Sequence, residues 1–129
     1  MRALERHTPA TYALLRMVTG FLFAFHGAQK VFGWYLPMAR PSLLSQIGVG
    51  GIIELVCGLA VMVGYQTRWA AFLASGTMAV AYTQFHWRFQ LGSRLLPAVN
   101  EGEPALLYAF LFLFIACQGG GRAALDPEK

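Results

Sequence analysis

Hydrophobic and polar positions fall in blocks along this chain. Four apolar blocks cover residues 12–34, 46–65, 69–86 and 104–118, divided by stretches rich in Arg, Pro, Gly, Asn and Glu. A bilayer-crossing helix takes about 20 apolar residues, so each block predicts one span. The last is the shortest and needs flanking residues to cross. Pro9 is expected to break the chain before the first block. Tyr35-Leu36-Pro37-Met38-Ala39-Arg40-Pro41-Ser42 reads as a loop, with Ser42 or Ser45 capping the second helix. Gln66-Thr67-Arg68 reads as a tight turn, and Pro104 suits the first turn of the last helix. A signal peptide would have an apolar core of only about 7–15 residues; the first block is longer and reads as a retained helix.

Composition sharpens this picture. The chain has 129 residues, of which 57% are hydrophobic and only 12% charged, with a mean hydropathy of +0.50. Soluble domains carry about 25% charge. Too few charges are present to coat a small water-facing body, so the expected fold is all-α, a transmembrane antiparallel four-helix bundle lodged in the inner membrane. Neither a Rossmann nor a P-loop glycine fingerprint occurs. The net charge of +4 is spread over isolated or paired basic residues, which excludes a nucleic-acid partner. Cys57 and Cys117 form no CxxC pair and are expected at different depths, which disfavours both thiol-redox chemistry and a disulfide between them. Arg2, Arg6, Arg16, Arg68, Arg122 and Lys129 fall on the side of the termini; Lys30, Arg40, Arg88 and Arg94 fall on the other. The positive-inside rule then puts both termini in the cytoplasm. Arg16 is expected to snorkel to headgroups, Arg68 to anchor the topology, and Trp34, Trp69 and Trp87 to mark the interfaces.

Small residues recur seven apart at Gly20 and Gly27, Gly51 and Gly58, and Ala74 and Ala81. Seven residues is about two helical turns, so each pair lies on one face where backbones approach closely in lipid.

Ionisable groups inside spans cost on the order of 2.5–3.5 kcal/mol each at a helix centre and need partners. His26 and Lys30 share a face of the first span; Glu54 lies in the second; Tyr82 and His86 lie at the end of the third; Asn100 and Glu103 lead into the fourth. At about 1.5 Å per residue, His26 sits about 10 Å and Glu54 about 9 Å below the non-terminal surface. All these groups therefore fall in one layer in the half of the bundle away from the termini. Lys30 with Glu54 is the expected ion pair. Three readings compete: a structural lock that fixes helix register, a site for the polar head of a quinone, and a metal site. The last lacks any local ligand pair such as HxxxH, and no metal ligands are assigned.

At these residues the chain resembles the DoxX family of small four-span membrane proteins. The resemblance is carried by His26-Gly27-Ala28-Gln29-Lys30-Val31-Phe32-Gly33, by Gly51-Ile52-Ile53-Glu54-Leu55 with Gly58-Leu59, and by Thr67-Arg68. It continues through Met78-Ala79-Val80-Ala81-Tyr82, Asn100-Glu101-Gly102-Glu103, and Gly119 to Arg122 with Leu125-Asp126, covering residues 12 to 126. Two departures are visible: Glu101 shifts a second glycine, and Ala123-Ala124 stand where Tyr-Ser is common. The family is named for a subunit of a quinone-linked thiosulfate-oxidising system, and other members look like membrane partners of oxidoreductase or thiol-homeostasis complexes.

The sequence thus predicts a small membrane subunit of a redox, quinone-linked complex. His26, Lys30, Glu54 and Glu103 are its candidate reactive groups, and Tyr82, His86 and Asn100 its candidate quinone-binding groups. With no haem, flavin or iron–sulfur motif, electrons must come from an oxidoreductase partner. An oligomeric proton-coupled solute transporter, and a non-catalytic anchor for a soluble oxidoreductase, are the alternatives.

Overall fold

The computed structural model describes residues 2–36 and 39–127; Pro37 and Met38 of the expected loop, and Lys129 of the charge count, lie outside them. The described residues form helices and no strands. They comprise α1 (Arg2–Glu5), α2 (Thr8–Phe32), α3 (Gln46–Val63), α4 (Thr67–Ala81) and α5 (Glu103–Gln118). A π-helical turn, Tyr82–Trp87, extends α4, and a 3-10 turn, Gly92–Leu95, lies in the connection to α5.

Helix ends obey local chemistry. Ser45 caps α3 by accepting the Gly48 amide at 3.1 Å, and Pro104 lies in the first turn of α5, both as expected. Pro9 does not break the chain. It lies in the first turn of α2, where its missing N–H has no helical partner to lose. The expected turn at 66–68 lies two residues earlier: α3 ends at Val63, Gln66 takes a left-handed conformation with φ 47°, and α4 starts at Thr67.

Neighbouring helices run antiparallel. Gly20 of α2 faces Gly58 and Met62 of α3, whereas Gly27 faces Gly51 and Leu55. A Cβ on Gly20 would lie 2.5 Å from the Met62 amide nitrogen and 2.6 Å from the Gly58 carbonyl. Backbone thus lies on backbone, and the seven-residue glycine spacing is the face that permits it. α4 and α5 are joined by the Ser75 hydroxyl, which donates to the Ala109 carbonyl at 2.7 Å. α2 meets α5 mainly through rings: Phe23 with Phe112, centroids 4.6 Å apart, and Tyr12 edge-on to Phe114 at 6.0 Å.

The interior joins small residues, Cys57, Ala71, Ala74 and Ala109, to a few larger ones, Phe23, Val61, Phe112 and Ile115, all buried. Many other large apolar side chains point outward, among them Leu14, Phe21, Val56, Trp69, Phe72 and Phe110. This inverts the arrangement of a water-soluble domain. The helix α3 is long and apolar enough to cross a bilayer, and α5 is apolar but 16 residues long. The expectation of four independently recognisable spans is therefore met only in part. The α4 helix is 15 residues long, about 22 Å of rise. It approaches spanning length only through its π turn, while α2 has the length but is diluted by Arg16, His26 and Lys30.

The glycine contacts make a direct prediction. Gly27→Val should drive Cβ into the Gly51 carbonyl and Leu55 backbone and destabilise the protein by about 3 kcal/mol or more. Gly76→Ala should be neutral or stabilising by up to about 1 kcal/mol, because nothing lies within 4 Å of the added carbon. Thermal unfolding of the detergent-solubilised protein distinguishes the two.

Candidate functional site

The α2–α3 contact determines what lies at the end of the molecule away from the termini. Gly51 has no side chain, and a Cβ there would meet the Cβ of Lys30 at 2.6 Å. Lys30 therefore folds across α3 and reaches Glu54, less than one turn further on. Its ammonium donates to Glu54 Oε1 at 2.6 Å and Oε2 at 2.7 Å. The carboxylate is buried, with 4% of its side chain exposed, and the lysine side chain is 32% exposed. The anion is thus sealed in the protein while the cation keeps an open side.

That open side faces a cavity of about 360 Å³ lined by α2, α3, α4 with its π turn, and α5. His26, Lys30, Glu54 and His86 all line it, with Gln46, Thr77 and Tyr108 among their neighbours. His26 is exposed, one turn before Lys30 on the same helix. His86 is half-buried, and its Nδ1 lies 3.3 Å from the Asn100 carbonyl. Because a carbonyl only accepts, this contact places the proton on Nδ1. The side-chain amides of Gln46 and Gln84 hydrogen-bond to each other, linking the start of α3 to the π turn.

Three candidate residues are placed differently. Asn100 is buried but committed to the protein. Its amide nitrogen donates to the Arg94 carbonyl at 3.0 Å and the Tyr82 hydroxyl at 3.3 Å, and its Oδ1 accepts the Gly102 amide at 2.8 Å. Asn100 and Tyr82 thus tie the loop before α5 to the π turn and stand outside the cavity lining. Glu103 is exposed at the head of α5 and lines a separate groove with Thr19, Leu22 and Pro97. The single polar layer expected from depth therefore resolves into a cavity, a loop tie and a groove. Among the described residues no three of His, Cys, Asp or Glu come together as a metal-binding group, so His26, Glu54, His86 and Glu103 do not form a ligand set.

The terminal end holds a second polar cluster that sequence reasoning missed. Arg16 does not snorkel: it is fully buried. Its Nη1 donates to the Val61 and Met62 carbonyls at 2.7 and 2.8 Å, and its Nη2 to the Ala123 and Arg122 carbonyls at 2.7 and 3.3 Å. Arg68, expected as a topology anchor, caps the C-terminus of α5 through the Ala116 and Cys117 carbonyls at 3.0 and 2.5 Å, where a cation also complements the helix dipole. The Tyr12 hydroxyl donates to the Gly119 carbonyl at 2.5 Å. The signal was available: the rule that an ionisable group inside a span needs a partner applies to Arg16 as it does to Glu54.

Asp126 completes this end. Its carboxylate accepts the Gln66 amide at 2.7 Å and the Thr67 amide at 2.8 Å, capping α4 from the far end of the chain. Partial burial raises its pKa, but the Thr67 and Gln66 amides and the Arg16 charge outweigh this and hold the carboxyl below its usual range.

Comparison with known proteins identifies the family. The profile of the DoxX family matches residues 11–87. An uncharacterised protein of Haemophilus influenzae is 38% identical, with 99% of this chain and 97% of that protein covered. No solved structure matches. The chain belongs to the DoxX family, and is accordingly a membrane protein in contact with the lipid bilayer.

Two outcomes test the two ends. Lys30→Met should cost about 3–5 kcal/mol by stranding a buried carboxylate, and Lys30→Met combined with Glu54→Gln should recover most of that loss; a double-mutant cycle on unfolding measures it. Asp126 has a folded-state pKa below its unfolded one. Its contribution is therefore complete above the unfolded carboxylate value of about 4 and is lost as pH falls through the lower folded value. Asp126→Ala should remove about 1 kcal/mol at neutral pH and flatten the acid limb of the unfolding temperature.

Proposed function

We propose that the protein is a four-span antiparallel inner-membrane bundle with both termini in the cytoplasm. In this reading the cavity over the Lys30–Glu54 pair receives the polar head of a quinone, and the protein acts as the small integral subunit of a redox complex. The observation that carries the reading is the half-open ion pair: a sealed carboxylate holding an ammonium whose free side faces a cavity lined by all four long helices.

The residues present fit such a head group. An ammonium has three N–H donors; Glu54 engages two of the three, leaving one for a carbonyl oxygen. The exposed His26 imidazole is a second donor on the same helix face. The volume of about 360 Å³ falls in the range of about 300–1,000 Å³ typical of small-molecule sites. A bound quinone supplies the capacity to take up two electrons and two protons. The protein's own residues would hold and orient it: Glu54 holds the Lys30 ammonium at the cavity wall, His26 stands one turn away on the same helix, and Tyr108 and Phe85 offer aromatic faces. Electrons come from a partner oxidoreductase. The transporter alternative finds less support. Below the cavity Phe23, Val61, Phe112 and Ile115 are fully buried, and the Arg16 cluster closes the terminal end.

The test is retention. Protein purified in mild detergent and extracted into organic solvent should yield quinone near one equivalent by liquid chromatography. Glu54→Gln should lower this by about tenfold or more, a loss of about 1.4 kcal/mol. Wild-type protein devoid of quinone, or full retention by the variant, would overturn the reading.

A further inference from the structure

The α2–α5 pairing differs from the other helix contacts. These helices are first and last of the four, and they meet through the rings of Tyr12, Phe23, Tyr108, Phe112 and Phe114 rather than through close backbone. Beside these rings a groove of about 760 Å³ opens between the helices, with Thr19 and Glu103 also on its lining. Leu22 forms its α2 wall, and Leu106, Leu107, Phe110 and Leu111 its α5 wall. Leu22 and Leu107 are 45% and 69% exposed, on the outward surface that faces lipid in a membrane protein.

This groove abuts the ion-pair cavity. Pro104 and Tyr108 line both. Tyr108 stacks on Phe112 with centroids 5.8 Å apart and is half-buried, so its ring stands between the groove and the cavity that holds the ion pair. A cavity that holds an ion pair, joined to a leucine-walled groove about twice its volume, suits a small polar ring carrying a single long apolar chain.

We infer that the α2–α5 groove is the route by which such a single-chain amphiphile reaches the cavity from the lipid, its ring passing Tyr108 to Lys30 while its chain stays between Leu22 and Leu107. This inference rests on the head-group reading above and adds the side of access and the ligand's shape. Moving a chain from lipid into an apolar groove gains no hydrophobic free energy, because lipid tails are as apolar as leucine. The groove therefore acts by admitting the chain, and obstruction rather than loss of adhesion is what an experiment should detect.

The experiment uses the full chain in phosphatidylcholine nanodiscs and two probes, a tail-less dimethoxy-methyl-benzoquinone and the same ring bearing a decyl chain, with affinities from calorimetry. Leu107→Trp fills the groove from α5, and Leu22→Trp fills it from α2. Leu73→Trp, on the outward surface of α4 and 51% exposed, is the control; each variant is first shown to unfold at the wild-type temperature. Both groove variants should weaken the decyl probe at least tenfold and leave the tail-less probe within twofold, with the control unchanged. Equal effects on the two probes, an equal effect of Leu73→Trp, or no effect of either groove variant overturns the access route while tail-less binding that depends on Glu54 preserves the head-group site. Failure of the wild type to bind either probe overturns both.

Discussion

The contact on which this structure depends is the meeting of two bare backbones. Gly20 and Gly27 of α2 and Gly51 and Gly58 of α3 leave no room for a Cβ, and in lipid such close van der Waals approach takes over the role that the hydrophobic effect plays in water. Everything at the open end stems from it. Only at this separation does the lysine stem cross Gly51, and only then does its ammonium meet both oxygens of Glu54. The ion pair is thus a consequence of packing as much as a cause of it. A buried pair is a weak contributor to net stability, because desolvation offsets most of its Coulombic gain; its presence in a helix contact already supplied with glycines points to a role in holding a charge in place.

The two ends of the molecule answer the same physical demand in opposite ways. At one, Arg16 is surrounded by carbonyl oxygens and fully covered, so its charge is spent within the protein. At the other, Lys30 is neutralised by a single carboxylate and left one-third exposed to a cavity. A guanidinium with five donors suits the first task, since it can satisfy several helix-end carbonyls at once. A lysine with one compact charge suits the second, where one partner leaves a donor unused.

Much of this was legible in the chain. The helical blocks, the Ser45 cap, the Pro104 turn, the glycine faces and the Lys30–Glu54 pairing all came from spacing and depth. The errors have physical causes. Depth along a helix says nothing of azimuth, so Glu103 and Asn100 were placed at the right level yet in the wrong compartments. Asn100 has short-range partners in its own loop that compete with any ligand, and its Tyr82 contact depends on a π turn that breaks the helical period assumed for the third span. Arg16 lies near a span end, where snorkelling and burial carry the same sequence signature; its partners, Arg122 and Ala123, contribute only carbonyls, which no side-chain pattern reveals. Asp126 was visible only through family resemblance, because it caps a helix that begins 59 residues earlier.

The tail that carries Asp126 also bears on how the bundle is closed. Arg16 and the amides of Gln66 and Thr67 lie 59 to 107 residues before the partners that satisfy them: the Arg122 and Ala123 carbonyls for the guanidinium and the Asp126 carboxylate for the two amides. Without that tail the Arg16 guanidinium has only its α3 partners, the Val61 and Met62 carbonyls. The segment after α5, and not α5 alone, therefore closes this end of the bundle, so four packed helices without it would still leave a guanidinium and two helix-start amides short of partners.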